Sequence, residues 1–251
     1  MRRNLKALGL ALLAAFAMSA VVASAAQAEA PAEFTAAEYP AVLTGHEEEE
    51  KAEFFEFTPG NKTECSDVTY EATLTEASTE VTVTPHYTGC TASGVGTNFN
   101  LNGCHYKFTA GTATSSTVAH GAVHVICPPN KQIEVVVGGG LCVVDIGPQT
   151  LAAGITYTNI KGGGPGTKTP HDYVTVDIDI TGKLKYTDTD TGGIFCPFAG
   201  NHTTENGSIV STVILKGYKD LKEDHTKPGT PEAKEYTHGE TEIAVNVRST
   251  P

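Results

Sequence analysis

Six cysteines, Cys65, Cys90, Cys104, Cys127, Cys142 and Cys196, are the side chains here with the clearest capacity for covalent chemistry. The closest two are 14 positions apart, which lacks the Cys-x-x-Cys spacing a structural zinc site wants. An even number of thiols in an exported chain reads instead as three disulfides, leaving no thiol nucleophile. His120 and His124 stand four apart in a segment that reads as strand, about 13 Å from one another on one face and too far apart to share a metal ion. Asp177 and Asp179 lie two apart, about 7 Å along a strand, within the separation of about 5 to 9.5 Å that glycoside hydrolysis uses. A glycan cleft is often lined with aromatic platforms, however, and the chain has no Trp.

Two acidic segments invite the same scrutiny. Asp188 to Gly193 begins like an EF-hand loop, but Gly192 stands at its fifth position and Ala199 at its twelfth, where a bidentate Glu is required, so a polar β turn explains it better. Glu47 to Glu50 reads as a solvated hairpin tip. No G-x-S-x-G elbow, H-E-x-x-H helix or phosphate-binding loop occurs. The sequence thus names no catalytic residue, no metal ligand and no cofactor, and the expectation is a noncatalytic protein. The alternative is a secreted hydrolase acting on glycan through an unrecognised carboxylate pair.

The elements that would position these groups are strands. β-branched and aromatic residues alternate with polar ones between Gly, Pro and Asn breaks, the mark of half-buried strands. In Val174 to Ile180 every second side chain is apolar, and Thr181-Gly182-Lys183 predicts a tight return that sets Ile180 opposite Leu184. Directly opposed residues in a hairpin have numbers of constant sum, which gives the cysteines a register test. Pairing Val68–Leu74 with Val81–Tyr87 opposes Leu74 to Val81 and Val68 to Tyr87, and brings Cys65 to Cys90. Pairing Cys104–Ala110 with Val118–Cys127 opposes Phe108 to Val123 and Tyr106 to Val125, and brings Cys104 to Cys127. The third pair is then Cys142 with Cys196; pairing Cys90 with Cys104 is the main rival arrangement. About a dozen short strands predict an all-β, antiparallel, disulfide-stabilised β-sandwich or two stacked small sandwiches, and their uneven lengths argue against a regular barrel.

Residues 1–28 have the layout of a secretory signal peptide: Arg2, Arg3 and Lys6, an apolar run from Leu8 to Val22, and a small-residue end at Ala26-Gln27-Ala28. Residues 29–251 are then one secreted β domain, with a Gly-rich internal linker at 161–170 and a charged loop at 218–239. The formal charge is −12, and the leader holds three cations and no acid, so its removal makes the chain more acidic still. Such a balance opposes nucleic acid and anionic lipid as partners. No second apolar run of spanning length follows the leader, so no membrane span is expected in the mature chain. A cell-envelope component or another extracellular protein is the partner class that remains.

Tyr87-Thr88-Gly89-Cys90, Asn102-Gly103-Cys104 followed by Tyr106 and Phe108, Ile126-Cys127-Pro128, Gly147-Pro148-Gln149-Thr150 and Phe195-Cys196-Pro197-Phe198 occur in an order with a precedent. In these phrases the chain, from about Phe34 to Gly217, resembles a family of uncharacterised secreted actinobacterial proteins. The resemblance implies export and disulfides and carries no activity with it. The stretch from Tyr218 to Pro251 departs from that family's usual ending.

Overall fold

Alternation of apolar and polar side chains makes each segment a strand with one face to bury, and the computed structural model satisfies that demand without a helix among the described residues. Those residues are 30–48, 54–58, 61–163, 170–190, 203–219, 221–223, 236–238 and 241–250. The signal-peptide expectation, residues 1–28, and Cys196 lie outside them. In chain order the strands are β1 (Ala30–Ala36), β2 (Ala41–Glu47), β3 (Phe54–Thr58), β4 (Asn61–Glu64), β5 (Asp67–Leu74), β6 (Glu80–Thr88), β7 (Cys90–Ala92), β8 (Val95–Asn100), β9 (His105–Ala113) and β10 (Val118–Ile126). There follow β11 (Ile133–Val137), β12 (Cys142–Ile146), β13 (Gln149–Ile160), β14 (Tyr173–Asp190), β15 (Thr203–Tyr218), β16 (Leu221–Glu223), β17 (Tyr236–His238), β18 (Glu242–Ile243) and β19 (Val245–Ser249).

Most of the short strands are halves of longer ones. β2 is continued by β3, β4 by β5, β6 by β7, β8 by β9, β10 by β11 and β12 by β13, while β14 and β15 run the full length unbroken. Neighbours pair antiparallel on both levels. On the first level the order is β2–β5–β6–β9–β10–β13–β14. On the second it is β3–β4–β7–β8–β11–β12–β14. β14 pairs with β15, and β15 returns to both β2 and β3. Eight long strands in up-and-down order therefore close into a barrel.

The all-β, antiparallel expectation describes this molecule, but the facing sheets of a sandwich give way to a closed circuit. Closure joins the last long strand to the first and leaves the wall without an edge. Uneven strand lengths are no obstacle, because short strands joined end to end span the same distance as β14. The predicted return at Thr181–Lys183 is also corrected: β14 continues through it. Gly182 does take a left-handed φ of 65°, but its N–H donates to Ser208 Oγ at 3.0 Å on β15, so the three residues form a bulge against a neighbour rather than a turn.

The breaks in the other strands fall at one level, a seam across the middle of the barrel. Side-chain parity shifts there: β4 turns Thr63 inward, followed by Cys65, and β5 then buries Val68, Tyr70 and Ala72. β6 buries Val81 and Val83, and β7 buries Cys90 and Ala92 across Gly89. At these two breaks the change of parity resets which side faces the core. The two disulfides Cys65–Cys90 and Cys104–Cys127 sit at this seam, each tying one hairpin partner to the next. The registers beside them follow the constant sums: Val68 opposes Tyr87, Phe108 opposes Val123 and Tyr106 opposes Val125. Leu74 lies against Ala41 of β2. Cys142 is fully buried and disulfide-bonded.

The Gly-rich stretch at 161–170 joins adjacent barrel strands: Ile160 pairs with Tyr173, and the N–H of Gly162 donates to Asp172 Oδ1 at 3.1 Å. Residues Pro31–Pro251 form one compact unit across it. Within the charged segment 218–239, β16 and β17 pair as a small separate sheet. Glu47 pairs with Val213 and the N–H of Glu48 donates to the carbonyl of Thr212 at 2.9 Å, so these two acids extend a strand at the seam instead of forming a hairpin tip; Glu49 and Glu50 lie outside the described residues.

On β14, Asp177, Asp179, Lys183 and Lys185 are exposed between the buried Val176, Ile178, Ile180, Leu184 and Tyr186. On this strand the pattern is the inverse of the outer face of a membrane barrel, which is an apolar band. No helix among the described residues is long and apolar enough to cross a membrane.

Candidate functional site

The histidines singled out in the sequence are on the outside of the barrel. His120 on β10 lies in register with Thr112 on β9 and Thr156 on β13; Thr156 is in turn opposite Asp177 on β14, and Asp177 opposite Thr212 on β15. Hydrogen bonds stitch this row: His120 Nδ1 lies 3.1 Å from Thr156 Oγ1, and Thr212 Oγ1 donates to Asp177 Oδ1 at 2.8 Å. One level along, His124 Nδ1 lies 2.9 Å from Thr150 Oγ1, and His124 is in register with Lys107, whose Nζ pairs with Glu80 at 2.8 Å. The two histidines thus bind separate threonines, and no group of three metal-ligating side chains occurs among the described residues.

Asp177 and Asp179 occupy the convex outer face, each taken by a hydroxyl, Thr212 for the first and Thr181 for the second. The Asp188 segment is not a turn: Asp188 is buried, pairs with Val144, and Asp190 pairs with Cys142 as β14 runs on. Thr191 to Gly193 lie outside the described residues.

A carboxylate pair does exist elsewhere. Glu134 on β11 is directly opposite Asp145 on β12, flanked in the same row by Asn100 and Thr187. Burial pushes the Asp145 carboxyl above the usual range, the Glu134 charge adds to the rise, and a hydrogen bond with Gln132 offsets part of it. Asp145 Oδ1 is buried without a hydrogen-bond partner. Register arithmetic on the strands Ile133–Val137 and Leu141–Ile146 carried the signal for this pair.

The second feature missed by sequence is internal. Between the seam and the end of the barrel where β1 and β19 lie, inward side chains of β5, β6, β9, β13, β14 and β15 leave a cavity of about 40 Å³ lined by carbon. Val176 and Ile178 form one wall, Tyr70 and Val83 another, and Tyr157 stands between, its hydroxyl donating to the Thr109 carbonyl at 2.9 Å. Burial pushes the Tyr157 phenol far upward, so it stays neutral. Phe34 of β1 also borders the cavity, and its ring meets that of Tyr157 edge-on at 5.2 Å.

In comparisons with known proteins, no family model, no curated protein and no solved structure matches the chain.

Proposed function

We propose that this is a noncatalytic protein of the cell exterior, secreted or held at the surface, whose barrel binds an envelope component or another extracellular protein. The observation that carries the reading is the Thr112–His120–Thr156–Asp177–Thr212 row, a set of donors and acceptors fixed in register on five adjoining strands. Side chains held this way lose little entropy on engaging a partner. Two disulfides fit an oxidising compartment, and the leader supplies the route to it. The acidic charge turns nucleic acid away, and binding on this face requires no cofactor.

Sedimentation with purified cell envelopes tests the reading. Saturable binding that survives high salt and weakens in His120→Ala/Thr156→Ala supports it; no binding to envelopes at any salt concentration removes the envelope as partner. The glycan-hydrolase alternative gains one observation, the Glu134–Asp145 pair with its raised carboxyl. Cleavage of envelope glycan by the pure protein, abolished by Asp145→Asn, would replace the binding reading with that one.

A further inference from the structure

We propose that the termini-side half of the barrel is a binding site for one small apolar ligand, of the chemistry of a single hydrocarbon ring, and that Phe34 fills part of that site in the free protein. This deepens the binding reading but uses the interior, so it stands or falls separately from the outer row.

The cavity next to Phe34, about 40 Å³, exceeds the roughly 10 to 15 Å³ that one water needs. A buried water also needs two to four polar partners, and this cavity offers carbon alone. The site is therefore dry, and an apolar guest enters it without displacing bound solvent. A cavity of about 150 Å³ takes benzene, so the present one is too small for a ring while Phe34 remains.

Phe34 is not part of the wall. β1 pairs with β19, with Phe34 opposite Val247, and β19 in turn reaches several wall strands across the barrel end. Ala32, Phe34, Val245 and Val247 of this strand pair are buried against the barrel interior, and hydrogen bonds tie the pair to the wall, the Val245 N–H donating to the Asp172 carbonyl at 3.0 Å. Asn159 donates to the Val247 carbonyl at 2.6 Å and accepts from its N–H at 2.8 Å, and Phe34 exchanges backbone bonds with Ser78 at 2.7 and 3.1 Å. An aromatic ring from a strand outside the wall, placed against an apolar chamber, is a built-in competitor for a ligand of the same kind. Withdrawal of Phe34 leaves the barrel wall closed and the chamber large enough for a ring.

Xenon and toluene are the probes, applied to the oxidised protein and followed by xenon NMR, ligand-observed NMR and thermal shift. The native chain should take up xenon saturably and bind toluene weakly. Phe34→Ala should bind toluene about tenfold tighter or more, as the competing ring is removed, and Val176→Leu, which reduces the chamber, should weaken both probes. Should Phe34→Ala fail to fold, Phe34→Leu and the xenon response of Val176→Leu carry the same test. Absence of saturable xenon uptake in the native chain, or toluene binding indifferent to both positions, overturns the proposal.

Discussion

The two halves of the barrel share strands and pairing pattern yet are filled differently. Beyond the seam, away from the termini, the interior is stacked with rings: Phe55 lies 6.1 Å from Phe57, 5.8 Å from Tyr87 and 5.0 Å from Phe99, and Phe57 meets Tyr186 at 5.1 Å. Tyr186 donates its hydroxyl to the Phe57 carbonyl, and Tyr87 shares a hydrogen bond with Tyr106 at 2.9 Å. In the termini-side half the inward positions of β6, β14 and β15 are dominated by Val and Ile, and the space they leave is taken by a ring brought in from β1. An eight-stranded barrel has an interior just wide enough for side chains to fill. Whether it becomes a solid rod or a container is then decided by side-chain volume alone, and this chain does one at each end.

The largest effect expected from breaking that comparison is at Phe55, fully buried among three aromatic partners. Phe55→Ala should cost about 4 kcal/mol in urea unfolding. A loss below about 1 kcal/mol would mean that the ring-filled half is not close-packed. Next comes the seam. Cys104 and Cys127 close a separation of 23 residues, and the double change Cys104→Ala/Cys127→Ala should cost about 3 kcal/mol by releasing the unfolded chain. Amide exchange should then speed first in β8, β9, β10 and β11, on both sides of the broken tie.

Those disulfides were legible in the sequence because a hairpin fixes its own register: once Val68 is set opposite Tyr87, Cys65 meets Cys90 without further information. The same local logic reached the Phe108–Val123 pairing. Closure was not legible, since it depends on β15 reaching β2 from the far end of the chain. The misjudged turn at Gly182 hid it further. A left-handed glycine serves a hairpin or a bulge equally, and the choice belongs to Ser208 on a neighbour that local pattern does not reveal. Alternation along Val174 to Ile180 sets Asp177 and Asp179 opposite the apolar face, whereas the assembly of Asp177 with His120 into one row needs the pairing of five strands. The cavity left no sequence signal at all, because it is a deficit of volume shared among six strands.

Methylene additions sharpen the comparison from the other side. Val176 borders the cavity, and Val176→Ile should find room and stabilise by about 0.8 kcal/mol. Val144 is fully buried in the ring-filled half, where Val144→Ile should meet packed neighbours and cost about 1 to 2 kcal/mol. Equal signs for the two in thermal unfolding would erase the distinction between container and rod.

The smallest effect concerns the outer wall of the ring-filled half, where Glu134 opposes Asp145. Like charges directly across a strand pair repel, and the raised Asp145 carboxyl records that cost together with burial. A carboxyl raised in the folded state binds its proton more tightly there than in the unfolded chain, so stability falls as pH rises from the ordinary value of 3.8 through the raised one. Above both values the penalty is fully present, and below both it is absent. Glu134→Gln removes the repulsion, leaving the burial contribution, and should stabilise by about 0.5 kcal/mol at pH 7 while leaving stability at pH 3 unchanged. Because Asp145 retains partial access to solvent, added salt should shrink the gain. A gain of the same size at pH 3, where Asp145 is largely protonated, would assign it to packing of the amide and not to charge.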